Sequence, residues 1–167
     1  MLAGYGIVGT MQRTAIALLL FLCSALASAH VTVWPRESQT GAYEKYVVRV
    51  PTEGNVATQS MELRIPANVD IVSIGAPNGY TYEAKRTGSK ITSIVWTMAI
   101  KPGEFAEFAF MARNPKETGE VRWEAVQRFV DGTSTEWTGP AKDKHPASVT
   151  RVIAPADDGG ASAGHHH

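Results

Sequence analysis

Glu120-Val121-Arg122-Trp123-Glu124-Ala125-Val126-Gln127-Arg128-Phe129 is the most regular stretch of the chain. Val121, Trp123, Ala125, Gln127 and Phe129 fall on one side of a period-two pattern. Glu120, Arg122, Glu124, Val126 and Arg128 fall on the other, which is the signature of a strand with one face against a core. Asp131-Gly132 follows, a strong hairpin signal that turns the chain into a second strand over 133–137.

The same alternation extends in both directions. Upstream, Glu44, Tyr46, Val48 and Val50 share a face and Pro51 ends the segment, while Met61, Leu63 and Ile65 alternate with Ser60, Glu62 and Arg64 before Pro66. Shorter strands are expected at 69–74 and, after the Pro77-Asn78-Gly79 turn, at 80–85. Residues 91–98 are rich in β-branched and aromatic side chains, and Lys101-Pro102-Gly103 turns them into a strand over 104–112 in which Ala106, Phe108, Phe110 and Ala112 share a face. A last strand is expected at 148–153. No amphipathic helix is evident beyond residue 29. About nine short strands with turn signals between them predict an all-β domain, an antiparallel β-sandwich of immunoglobulin-like or cupredoxin-like kind.

The first 29 residues read differently. Arg13, the apolar run 15–22 and the exit Ala27-Ser28-Ala29 have the layout of a cleaved secretory signal, with Met11 an alternative start. The run is shorter than the ~20 residues a membrane-spanning helix needs. The expected organisation is a signal peptide over 1–29, one domain over 30–154, and a disordered tail over 155–167 whose His165–His167 are either a native tract or the remnant of a tag. Cys23 lies in the leader, and Leu22 before it does not suit a lipoprotein signal. The exported chain therefore has no thiolate for catalysis and no disulfide. With 16 basic and 16 acidic side chains overall and no Lys/Arg run, nothing favours nucleic acid or an anionic membrane as a partner. The mature form is expected to be periplasmic or secreted and not membrane-spanning.

Cleavage after Ala29 would make His30 the first residue. Its freed α-amine and its ring Nδ1 close a six-membered chelate on a metal ion, so one ordered side chain brings two nitrogen ligands. Before cleavage that nitrogen is an amide and a poor ligand. A nitrogen pair plus one carboxylate suits Cu(II), which prefers tetragonal N,O ligands and stands at the top of the affinity order. Met61, Met98 and Met111 are scattered singly, with no cluster suited to Cu(I).

His30-Val-Thr-Val-x-Pro, Gly41-Ala42-Tyr43-Glu44-Lys45-Tyr46 running to Arg49-Val50-Pro51-Thr52-Glu53, Lys101-Pro102-Gly103-Glu104-Phe105 and Glu136-Trp137-Thr138-Gly139-Pro140 resemble the YcnI-like copper-binding domain family over nearly the whole span 30–154. The resemblance implies an exported β-sandwich that holds Cu(II) in a mono-histidine brace. The metal residues it carries over are His30, Glu53, a carboxylate from the loop after the second strand, and Trp137, an indole over the metal. It further implies copper storage or delivery to an envelope transporter or cuproenzyme, without catalysis.

Each position also has a plainer reading: His30 as an accident of cleavage, Glu53 as a solvated turn residue and Trp137 as core. Glu44 and Glu136 are rival carboxylates. Glu44 needs a partner if buried, and Glu136 points away from Trp137 by alternation. His145, among Lys142, Asp143 and Lys144, is expected to be a solvated surface histidine. Two other functions stay open: a histidine-brace copper oxidase or monooxygenase, which needs His145 near His30, and a metal-free adhesion or partner module.

If the chelate forms, amine (pKa ≈ 7.7–8.0) and imidazole (≈ 6.5) must both lose their protons to bind. Copper affinity should therefore fall steadily from pH 8 to pH 5, and a titration by competition with a coloured chelator would reveal a flat profile if the chelate is absent.

Overall fold

The computed structural model describes residues 30–156, so the expected leader features (Arg13, Cys23, the 27–29 exit) and His165–His167 lie outside the described residues. Within them the chain forms eleven strands and no helix: β1 (Thr32–Trp34), β2 (Glu37–Gln39), β3 (Tyr43–Pro51), β4 (Thr58–Arg64), β5 (Asp70–Ile74), β6 (Thr81–Thr87), β7 (Lys90–Ile100), β8 (Phe105–Arg113), β9 (Gly119–Phe129), β10 (Ser134–Trp137) and β11 (Ser148–Ile153). They build two sheets, one ordered β1-β3-β8-β5 and the other β2-β11-β9-β4-β7-β6, with β10 on β9. The expected all-β sandwich is thus the fold.

The inward face of each strand is the apolar set read from the alternation. Tyr46, Val48 and Val50 from β3, Phe108 and Phe110 from β8, Trp96 from β7 and Trp123 from β9 are buried between the sheets. Their rings interlock, Trp96 stacked on Phe108 at 5.1 Å and Tyr46 tilted against Trp123 at 4.9 Å. Such offset and edge contacts add to what burial alone contributes. Met61 is buried here and Met98 packs beside it, so both are core residues.

Two features depart from expectation. β2 is a strand the alternation does not announce, and it pairs with β11 in parallel, through Arg151↔Glu37 to Ile153↔Gln39, in an otherwise antiparallel sandwich. Polar bonds hold it. Ser38 donates to Glu44 Oε2 at 2.5 Å, Asn114 Nδ2 donates to Ser38 Oγ and Gln39 O at 2.8 Å each, and Tyr46 donates its hydroxyl to Asn114 at 2.6 Å. Burial, with the Glu44 charge beside it, pushes the Tyr46 phenol up to about 12. Glu44 thereby has the partner that its place on the strand required.

The second departure concerns β10 and β11. β10 pairs with β9 from Ser134↔Arg128 to Trp137↔Ala125, and β11 takes up the same edge from Ser148↔Trp123 to Val152↔Gly119. The two are halves of one return strand, interrupted after Trp137 by residues 138–147. That excursion, at one end of the sandwich, lies beside the start of β1, where Val33 N donates to Ser148 Oγ at 2.8 Å.

On the outer face, Glu62 is nearly buried and bonded to Lys85 at 2.9 Å, Arg128 at 2.8 Å and Ser93 at 3.2 Å. The Lys85 ammonium foremost, helped by Arg128, holds its carboxyl down at about 2 against desolvation. Its folded pKa is depressed, so its contribution is complete above the unfolded carboxylate range and is lost as pH falls through about 2. Replacing Glu62 by alanine should cost about 2 kcal/mol near neutral pH, less than the roughly 3–5 kcal/mol of breaking a fully buried pair, because both cations reach solvent. Urea unfolding of the variant at pH 7 and pH 2.5 should show that difference shrinking in acid.

Candidate metal centre

Trp137 is the anchor of the site. It ends β10 where the return strand breaks off, and its indole is 5 % exposed. Its Nε1 donates to Gln127 Oε1 at 3.2 Å, and the Gln127 amide donates in turn to Pro51 O at 2.9 Å and Thr58 Oγ1 at 2.6 Å. Thr58 and Thr52 share a hydroxyl bond of 2.7 Å. One buried glutamine thus joins the indole to the end of β3, from which the Glu53 turn leaves. Thr52 fixes that turn further, its N–H on Glu104 O at 2.9 Å and its carbonyl accepting from Gly103 at 3.0 Å. Gly54, with φ +76°, reverses the chain where a side chain would be strained.

His30 precedes β1 and is half-buried. Its imidazole meets Trp137 edge-on, with ring centres 5.7 Å apart. Glu53 is exposed and lines a concavity of about 240 Å³ together with Pro51, Gln127, Thr135, Trp137 and His145. Pro51 is also a wall of the groove that holds His30, so it stands where the two openings meet. The three residues carried over by the family resemblance are therefore brought to one end of the sandwich, two in ring contact and the third beside the indole.

Glu136 is exposed on the far side of its strand, as alternation predicts. His145 corrects its expectation. It is half-buried rather than solvated, its ring edge-on to Trp137 at 5.1 Å and 83°. The reason is the folding of the excursion on itself: Gly139 N donates to His145 O at 3.0 Å, Ala147 N to Gly139 O at 2.9 Å, and Asp143 N to Pro140 O at 2.9 Å. Arg122 clamps its start by donating to the Thr138 and Gly139 carbonyls. A Cβ at Gly139 would lie 2.5 Å from Asp143 Cβ, so this closure requires glycine. His30 and His145 touch the same indole, and His145 is not remote from His30.

Gln127 was not singled out by sequence reasoning, yet a polar residue on the apolar face of the most regular strand was the available signal. Among the described residues no three His, Cys, Asp or Glu side chains form a ready metal cluster. A site built on His30 and Glu53 accordingly needs a donor that is not a side chain.

Fold and site together define an immunoglobulin-like sandwich in which the histidine that precedes β1 is set against a tryptophan, and a carboxylate lines the concavity beside that tryptophan. The chain belongs to the YcnI-like family whose model is described as "Domain of unknown function (DUF1775)", which matches residues 30–152. It is 34 % identical over 148 residues to "Copper-binding protein CutI" of Bacillus subtilis (strain 168), across 87 % of this chain and 72 % of that protein. A solved structure of an uncharacterised Nocardia farcinica protein, described as an immunoglobulin-like fold, superposes with TM-score 0.67 at 27 % identity, covering 75 % of this chain and 99 % of that one.

Replacing Gln127 by leucine removes the acceptor of Trp137 and the donor to Pro51 and Thr58 at once. Unpaired buried groups of this kind cost about 1–3 kcal/mol, and the variant should show both a lowered urea midpoint and an altered near-ultraviolet circular dichroism from a loosened indole.

Proposed function

We propose that this chain is an exported copper-binding protein that carries Cu(II) as cargo on its mature N-terminus, for storage or for delivery to an envelope transporter or cuproenzyme. In this reading a signal peptidase cuts after Ala29, and His30 grips the ion through its α-amine and Nδ1. Glu53 supplies the carboxylate, and Trp137 covers the metal. The observation that carries it is the contact of the His30 imidazole with Trp137, with the Glu53 turn tied to that same indole through Gln127.

The donor chemistry fits the ion. His30 and Glu53 bring one imidazole and one carboxylate, and the freed amine is the further donor that the side chains do not provide. The carboxylate offsets part of the divalent charge. Trp137 cannot ligate through nitrogen, because its N–H is a donor without a lone pair and is bonded to Gln127. It excludes water from one face instead. The relative named for copper binding supports the choice of metal, and its name describes binding rather than catalysis.

The deciding experiment adds one residue before His30. With His165–His167 changed to alanine in both samples, the chain beginning at His30 should bind one Cu(II) tightly, and the extended chain should lose at least a hundredfold in affinity because its nitrogen is an amide. Equal affinities in a competition titration would refute the N-terminal chelate, and no measurable binding by either sample would leave the metal-free module.

A further inference from the structure

We propose that Glu53 and His145 form a second, transient position for the cupric ion, through which it enters and leaves the site at His30. The inference rests on the reading of His30 as the final chelate. It starts from a division in the structure: His30 opens onto grooves walled by Thr32, Trp34 and Arg36, whereas Glu53 opens onto the concavity shared with His145. The carboxylate assigned to the His30 chelate therefore shares its opening with a different imidazole.

That imidazole is placed with care. The 138–147 excursion is closed by three backbone hydrogen bonds around it, by the Asp143 carboxylate accepting from His145 N at 3.3 Å, and by a glycine that admits no Cβ. A histidine wanted only for solubility needs none of this. Its ring rests on the indole that His30 also touches, so the two imidazoles are separated by no more than their two ring distances laid end to end. Pro146, the next residue, lines the groove of His30.

Chemically, one imidazole nitrogen and one carboxylate oxygen make a site for a borderline divalent cation, weak because water must fill the remaining positions. Weakness is what a relay requires. An ion arriving in the concavity takes Glu53 and His145, then keeps the Glu53 oxygen while the His30 amine and Nδ1 replace the His145 nitrogen. The Glu53 carboxylate stays on the ion throughout, so the same part of its charge is offset at both positions, and departure runs the same exchange in reverse. His145 acts on the rates of both directions and is absent from the final chelate.

The test uses the full mature chain from His30, with His165–His167 changed to alanine, and Cu(II) alone. His145→Phe keeps a ring on Trp137 and removes the lone pair. Stopped-flow quenching of tryptophan fluorescence should show loading, and removal by excess chelator, each slowed about tenfold, with the dissociation constant unchanged. In the chain extended before His30, weak residual binding should persist and disappear on adding His145→Phe. Unchanged rates in the single variant, or residual binding indifferent to His145, would overturn the relay. A mature chain that fails to bind Cu(II) tightly in the first place would instead overturn the His30 chelate, so the two failures are read from different samples. Matching urea unfolding curves for His145→Phe and the parent confirm that the rates report on ligation and not on a damaged fold.

Discussion

The edge of β9 is the constraint on which this structure depends. Eleven residues of a central strand present backbone groups that must be paired, because an unpaired group in the middle of a sandwich is costly. β4 serves one edge, and the return strand serves the other in two pieces, β10 and β11, that keep a common register. Because the pairing resumes within a step of where it stopped, ten residues can leave the sheet without disturbing it. The core stays closed while one end of the sandwich acquires a shaped loop, an anchored tryptophan and the start of β1 against them.

Much of the fold was legible because inward faces recur with period two. The runs around Val121–Phe129, Tyr46–Val50 and Phe108–Ala112 are read as half-buried strands, and the core is made of those faces. β2 was not legible. Three residues, Glu-Ser-Gln, carry no alternation, and what fixes them is a set of polar bonds with Glu44, on the next strand, and with Asn114, far along the chain. The joining of β10 to β11 was equally hidden, since register across an excursion is settled by the partner strand and not by either segment alone.

The site was legible in its parts but not in its arrangement. His30 stands out by chemistry, because a cleavage signal would turn an amide into an amine next to an imidazole. Glu53 and Trp137 are named by family resemblance, and only the tertiary structure shows that Gln127 joins Trp137 to Pro51, at the root of the Glu53 turn. His145 reads as a surface residue for a physical reason. Its neighbours Lys142, Asp143 and Lys144 are charged and exposed, and the bonds that turn its ring inward are made by the backbone of Gly139 and Ala147, which side-chain character does not report.

The broken return strand has an evolutionary corollary. Residues 137 and 148 are the two moorings of the excursion, and both are held by the β9 edge whatever lies between them. Length and side chains of the intervening segment can therefore vary with little penalty to the sheet wherever Gly139 and the bonds that close the segment are kept. Variation confined to that segment would reshape one end of the sandwich while leaving unaltered the platform that bears it.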